Sequence, residues 1–192
     1  MAGFKAAGGG ATARFAAAQA SIIRNLVTQV AELLGADPLA DGDPLADPAQ
    51  QPPDGSAAAL DAQLRLSDST EAPQDPALAR LLPDAYRDDP EAAAEFRRYT
   101  EESLRSGKVA AARTVLDTLP AKGGRIRLSV ADSQAWLRAL NDVRLALSVR
   151  LGVTEGFDEE AARLGPGDPR YAYVWVYQWL AYLQESLVEA LE

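Results

Sequence analysis

Residues 171–182 constrain the fold most, because six of the chain's thirteen aromatic residues occupy these twelve positions. The aromatic residues alternate from 171 to 179, which is the period of a β-strand. Apolar residues then follow a helical stripe through Val176, Leu180, Leu183, Leu187 and Leu191. Asp168 and Pro169 form a typical helix start. We therefore predict a helix over 169–191.

This helix is apolar almost all round, since only Gln178, Glu185 and Glu189 form a polar wedge. It must therefore be covered, either as the central pillar of the core or by a protein partner. In the second case Trp175, Trp179 and Tyr182, which are adjacent on the helical wheel, would be the anchors. We expect the core to cover them, because large apolar side chains are usually buried within their own chain.

The chain has no cysteine and no histidine. This excludes thiol nucleophiles, disulfides, thiol redox switches and the usual zinc sites. It also removes imidazole, the commonest general base. The carboxylates lie in caps and exposed runs without metal or acid–base spacing, and Gly8, Gly9 and Gly10 lack the context of a phosphate loop. We expect a protein that is not an enzyme and needs no cofactor or metal.

Charge is spread unevenly along the chain, whose net charge is −9. Residues 37–102 carry five basic and sixteen acidic residues, a net −11, whereas 103–150 carry nine basic and three acidic, a net +6. The overall field should repel nucleic acid. With no apolar run long enough for a membrane span and no secretory signal, we expect a cytoplasmic protein.

Three regions make up one domain. Residues 1–35 contain a short hairpin over 3–15 and a helix over 17–34. Residues 36–76 hold seven of the twelve prolines and many acidic residues, which predicts a disordered acidic linker with at most a brief element at 60–66. Residues 77–192 complete the domain. The fold class is mainly α, a helical bundle with a small two- or three-stranded β element.

The third region begins with a short helix that ends before Pro83. Asp89 and Pro90 then start a helix that we expect to end at Gly107, with Phe96, Tyr99 and Leu104 inward, followed by a second helix over 108–119. A strand over 125–128 follows. It resembles the strand end at 14–15, and pairing of the two in one sheet is one interpretation; chance similarity is the favoured one.

A helix over 130–151, opened by a capping box at Ser129 and Asp132, has apolar residues on two faces and should be packed from both sides. Arg144 lies at the edge of its main stripe. A half-buried Arg needs a partner, so we predict a structural clamp with Glu185, with Asp117 as the other candidate. An anion site or a partner site is the functional alternative.

The basic segment 122–127 is the one candidate nucleic-acid surface. Arg125 and Arg127 alternate on one strand face near Lys122. This patch could contact phosphate or an acidic peptide. The simpler interpretation is a solvated edge strand protected by charge. A DNA-binding regulator would require these residues to form one exposed patch with further basic residues.

Five segments together resemble an actinobacterial family of unknown function whose genes lie beside that of the Clp-protease adaptor ClpS. They are 80–87 (RLLPDAYR), 116–120 (LDTLP), 124–128 (GRIRL), 136–147 (WLRALNDVRLAL) and 176–185 (VYQWLAYLQE). The resemblance covers nearly the whole chain except 36–74. The family includes a mycobacterial oxidative-stress regulator that acts with a sigma factor and senses oxidants through a cysteine pair, which this chain lacks.

The resemblance implies a regulator of transcription or stress that acts by protein–protein contact, with a sigma factor or a Clp component as partner. The alternatives are an adaptor of the Clp protease system and a DNA-binding regulator that uses 122–127. Contact with nucleic acid is the less favoured of these. The resemblance transfers no catalytic residue, and the oligomeric state is left open.

Overall fold

The computed structural model describes residues 3–36, 73–86, 88–165, 167–168 and 170–192. In chain order its elements are β1 (Lys5–Ala6), β2 (Gly10–Phe15), α1 (Ala17–Leu33), α2 (Pro76–Leu81), α3 (Pro90–Thr118), β3 (Gly124–Ser129), α4 (Val130–Leu151), α5 (Phe157–Arg163) and α6 (Tyr171–Glu189). The predicted mainly helical fold with a small sheet is confirmed. Most of the predicted linker over 36–76, including the element at 60–66, lies outside the described residues.

The three strands form one antiparallel sheet in the order β1-β2-β3. The β1–β2 hairpin turns through Gly8 and Gly9, whose φ angles of 53° and 84° suit glycine. Strand β3 pairs with β2 along its whole length, from Gly10 opposite Ser129 to Phe15 opposite Gly124. The structure therefore pairs these two strands, which lie more than 100 residues apart, although the sequence favours chance similarity between them.

Helix α4 is the central element of the bundle and packs against α1, α2, α3 and α6. It begins at the predicted capping box, in which the Ser129 hydroxyl accepts from the Asp132 amide at 3.1 Å. Its main stripe is buried, and Leu145 and Val149 pack on the core from the other side. Packing from two sides is confirmed. The C-terminal helix α6 is therefore not the central pillar of the core that the sequence predicts; α4 has that position.

The inner face of the sheet rests on an aromatic cluster. The Phe4 ring lies edge-on to Trp136 at 5.5 Å, and Phe15 stacks on Trp136 at 5.9 Å. The buried Trp136 indole donates to the Thr118 hydroxyl at 2.8 Å, so its polar group is satisfied inside the core. This cluster sets the position of the sheet against α4, and with it the direction of the outer face.

Helix α3 is continuous from Pro90 to Thr118, so the predicted break at Gly107 is wrong. Asp89 caps it as predicted. Its first half extends past the core, and Phe96, Tyr99 and Leu104 are exposed rather than inward. One glycine costs a helix only about 1 kcal/mol, which the packing of the second half offsets.

Residues from both sides of the undescribed 37–72 segment share one core. It joins the hairpin and α1 to the stretch from α2 through α6. A satellite cluster formed by Leu151, Phe157, Ala161 and Val174 attaches α5, a helix that the sequence patterns do not predict. Within the described ranges no helix combines the length and apolar character that crossing a membrane requires.

Candidate interaction surfaces

Cationic side chains occupy the outer face of the sheet. Side chains alternate across a strand, so Ala13, Ile126 and Leu128 point inward while Arg14, Arg125 and Arg127 point outward. In the β2–β3 register Arg14 lies opposite Arg125, and Arg127 lies opposite Thr12. Thr12 in turn pairs with Lys5 of β1. Basic residues from three strands therefore share one exposed face.

Lys122 extends this face at one end. It lies in the turn before β3, where the Gly123 amide donates to the Pro120 carbonyl at 2.8 Å. Lys122 and Arg14 line the same shallow depression beside the end of β2. The predicted patch of Lys122, Arg125 and Arg127 is thus one exposed surface with Lys5 and Arg14. We call these five residues the cationic face.

No carboxylate neutralises the cationic face within the described residues. The strands contain no acidic residue. Among the ion pairs and side-chain hydrogen bonds of the described chain, none involves any of the five cations. Like charges directly across a strand pair are destabilising, which makes Arg14 opposite Arg125 an unfavourable arrangement for a sheet of purely structural purpose.

The three predicted aromatic anchors of α6 are divided between core and surface. The Trp179 side chain is buried, at 1% exposure, whereas Trp175 and Tyr182 are each 41% exposed. Trp175 stacks on Trp179 with ring centroids 5.8 Å apart. Tyr171 is exposed on the same helical stripe. Trp179 therefore belongs to the core, and of the three predicted anchors Trp175 and Tyr182 are exposed.

Arg144 forms an internal clamp, but not with the predicted partner. Its guanidinium donates to the side-chain oxygen of Gln184 at 2.7 Å and lies 5.0 Å above the ring of Tyr177. Glu185, one residue further on, points to solvent. Adjacent helical residues differ by about 100° in direction, so the amide faces α4 while the carboxylate does not. The predicted clamp between Arg144 and Glu185 is therefore wrong, because the partner of Arg144 is Gln184.

Two ion pairs that each contain a buried carboxylate do not follow from the sequence patterns. Lys108 of α3 contacts Asp142 of α4 at 2.6 Å, and Arg105 holds the buried carboxylate of Glu101 at 2.7 Å. Burial raises the pKa of Asp142 even though Lys108 opposes the shift. The first pair joins α3 to α4, whereas the second lies within α3, where Arg105 also donates to the Leu34 carbonyl at 3.2 Å. Across the described residues no group of acidic side chains has an arrangement that could hold a metal ion.

Comparison with known proteins identifies relatives. A family model described as a domain of unknown function, DUF2017, matches residues 1–191. Proteins named oxidative stress regulator AosR, from Mycobacterium tuberculosis and Mycobacterium bovis, are 43% identical over 132 residues, which is 62% of this chain and 59% of each relative. A putative AosR of Mycobacterium leprae is 42% identical. No solved structure matches.

Proposed function

The chain belongs to the DUF2017 family, and on that basis we propose that it is a non-enzymatic, cytoplasmic regulator of the oxidative-stress response that acts by contact with a protein partner. The observation that carries this proposal is the 43% identity to proteins named oxidative stress regulator. The match spans about three fifths of those relatives. The proposal therefore concerns the role of this chain and not every property of the longer proteins.

The geometry gives little support to an enzyme. The chain has neither cysteine nor histidine. Two narrow cavities, one between α1 and α4 and one beside the start of α3, have volumes of about 20 and 10 Å³. Each has room for about one water molecule. The larger depressions are open to solvent and bring together no nucleophile, base and orienting group.

Regulation by this chain cannot depend on its own thiols, because the 192 residues contain none. We place the oxidant-sensitive step on the partner instead. A sigma factor is the partner class that we favour, since it would link stress to transcription. A component of the Clp protease system is the alternative partner. The two are separable by direct binding with the purified chain.

We assign the partner contact to Trp175 and Tyr182 of α6. Both rings are exposed, and they lie seven residues apart on one helical face, the spacing with which helices anchor in partner grooves. Aromatic residues are the side chains most enriched at binding hot spots. The buried Trp179 ring stacks against Trp175 from the core side and would not touch the partner.

The first test is genetic. A strain of the source organism that lacks the gene is exposed to hydrogen peroxide, and its transcripts are compared with those of strains complemented by the wild type or by Trp175→Ala. We expect loss of part of the peroxide response in the deletion strain and incomplete rescue by Trp175→Ala. An unchanged response in the deletion strain would contradict the proposal.

The second test is binding measured by calorimetry with the host's purified stress sigma factors and, separately, its Clp adaptor. Tyr173→Ala is the matched control, because Tyr173 is equally an exposed aromatic residue but points to the other side of α6. We expect Trp175→Ala to weaken binding at least tenfold and Tyr173→Ala to leave it unchanged. Binding by the Clp adaptor alone would replace the sigma-factor assignment.

A further inference from the structure

We propose that the cationic face is a binding surface for the phosphate backbone of double-stranded nucleic acid. The proposal rests on the placement of Lys5, Arg14, Lys122, Arg125 and Arg127, and not on the relatives or on the assigned partner contact. It adds a second, electrostatic function to a chain whose net charge is negative.

The first argument is the match of charge and size. Residues along a strand rise about 3.4 Å each, so the six-residue strands β2 and β3 are roughly 17 Å long. A duplex presents one charge per about 1.7 Å of its axis, which gives about ten phosphates over that length. About half of these phosphates face one side of the duplex, which is enough for the five cations. Three of them are arginines, whose planar guanidinium groups bind phosphate with two hydrogen bonds.

The second argument is the chemistry that the face lacks. Between the cations, the outward positions of β2 and β3 hold Thr12 and Ser129, and no large apolar or aromatic side chain. Stable protein interfaces need buried apolar or aromatic anchors, which an acidic protein segment would not find here. Single-stranded nucleic acid needs aromatic rings for base stacking, and these are also missing. Contacts to a duplex backbone need only cations and hydrogen-bond donors.

The third argument concerns the orientation in which a duplex would approach the protein. The chain carries −9 overall, so the residues outside the cationic face carry −9 minus +5, or −14. Most of the remaining charge would therefore repel a duplex, whereas this face would attract it. Binding would thus be oriented, independent of base sequence and weak, with a dissociation constant on the order of 10⁻⁶ to 10⁻⁴ M at physiological salt and tighter binding at low salt.

The test uses the full chain and a fluorescently labelled 20-base-pair duplex, with anisotropy measured between 20 and 200 mM KCl. If all five cations contact phosphate, the slope of log K against log salt concentration should approach about −4.5. Each of Arg14→Ala, Arg125→Ala and Arg127→Ala should make the slope shallower by about 0.9 and reduce affinity on the order of tenfold at 50 mM salt. Arg125→Lys, which keeps the charge, should keep the slope.

Arg113→Ala is the matched control, since Arg113 is exposed on α3, away from the sheet, and its loss changes the net charge equally. It should leave binding unchanged. The proposal is overturned by absence of saturable binding at 20 mM salt, or by equal effects of Arg113→Ala and Arg125→Ala. It is also overturned if polyglutamate binds as tightly as the duplex through the same residues, which would assign the face to an acidic protein. None of these results affects the transcript test of the proposed function.

Discussion

Arg14 and Arg125 lie directly opposite each other on adjacent strands, and within the described structure neither has a carboxylate partner. Opposite-charge or β-branched pairs would stabilise this position, whereas two arginines oppose pairing of the strands. The sheet is therefore less stable than simple substitutions could make it. Surfaces that bind other molecules commonly keep residues of this kind, because binding and stability make different demands.

Arg14→Glu should raise the free energy of unfolding by about 0.2–1 kcal/mol, since it replaces a repulsive cross-strand pair with an attractive one. Urea denaturation at low ionic strength measures the change. Arg14→Thr, which removes the repulsion without adding an attraction, should give a smaller increase. A decrease in stability for both variants would show that Arg14 supports the sheet through contacts other than charge.

Thr118→Val should lower the free energy of unfolding by about 1–3 kcal/mol, because it leaves the buried Trp136 indole N–H without an acceptor. The substitution keeps the shape of the side chain, so packing changes little. Thr114→Val is the control, since the Thr114 hydroxyl bonds only to the carbonyl of Ala110 on its own helix. Equal effects of the two substitutions in thermal or urea unfolding would contradict this explanation.

Asp142 should make a pH-dependent contribution to the free energy of unfolding, and the sign of this contribution should be opposite to that of most carboxylates. Burial raises its pKa above the ordinary 3.8, although Lys108 lowers it in part. The folded state therefore binds this proton more tightly than the unfolded state, and the resulting stability is lost as pH rises from the ordinary value through the folded one. Asp142→Asn cannot ionise and lacks this contribution.

The measurement is urea unfolding of the wild type and Asp142→Asn between pH 3.5 and 7. The stability of the wild type minus that of the variant should fall as pH increases. Asp168, whose pKa is lowered by hydrogen bonds from Arg170, acts in the other direction but is common to both proteins and cancels. If the difference rises with pH instead, attraction to Lys108 outweighs burial.

Gly107→Ala should stabilise the protein by about 0.5–1 kcal/mol, because Gly107 lies inside α3 and a methyl group there would meet no atom within 4 Å beyond the neighbouring helix backbone. Thermal unfolding tests this. Gly10→Ala provides the contrast, since its methyl group would collide with the carbonyl oxygen of Leu128 and disturb the β2–β3 pairing. A loss of stability in Gly107→Ala would indicate that the helix is interrupted there in solution.

Local signals in the sequence predict the start of an element better than its extent. The Ser129 and Asp132 box and the Asp89 cap were identified correctly because capping depends on residues three or four positions apart. The predicted end of α3 at Gly107 is wrong, because tertiary packing of the second half of the helix overrides the low helix propensity of glycine. The exposure of Phe96 likewise depends on where the bundle ends, which helical periodicity does not reveal.

The sequence reveals only part of the cationic face, because local patterns do not show which strands pair. Arg125 and Arg127 alternate along one strand and could be recognised together. Lys5 and Arg14 join them through strand pairing across more than 100 residues, and that register is a property of the folded chain. The wheel of α6 placed Trp175, Trp179 and Tyr182 on one side but could not show that the core covers only Trp179.

The backbone amide of Phe4 donates to the hydroxyl of Ser186, which is buried in α6. During synthesis this bond can form only after residue 186 has left the ribosome, roughly 10–40 s after Phe4 at typical elongation rates. Over most of that time β1 and β2 have neither the strand nor the helix against which they pack. Until β3 and α4 follow, the edge of β2 and the rings of Phe4 and Phe15 stay exposed, and premature termination before α6 would leave the Phe4 amide without its acceptor.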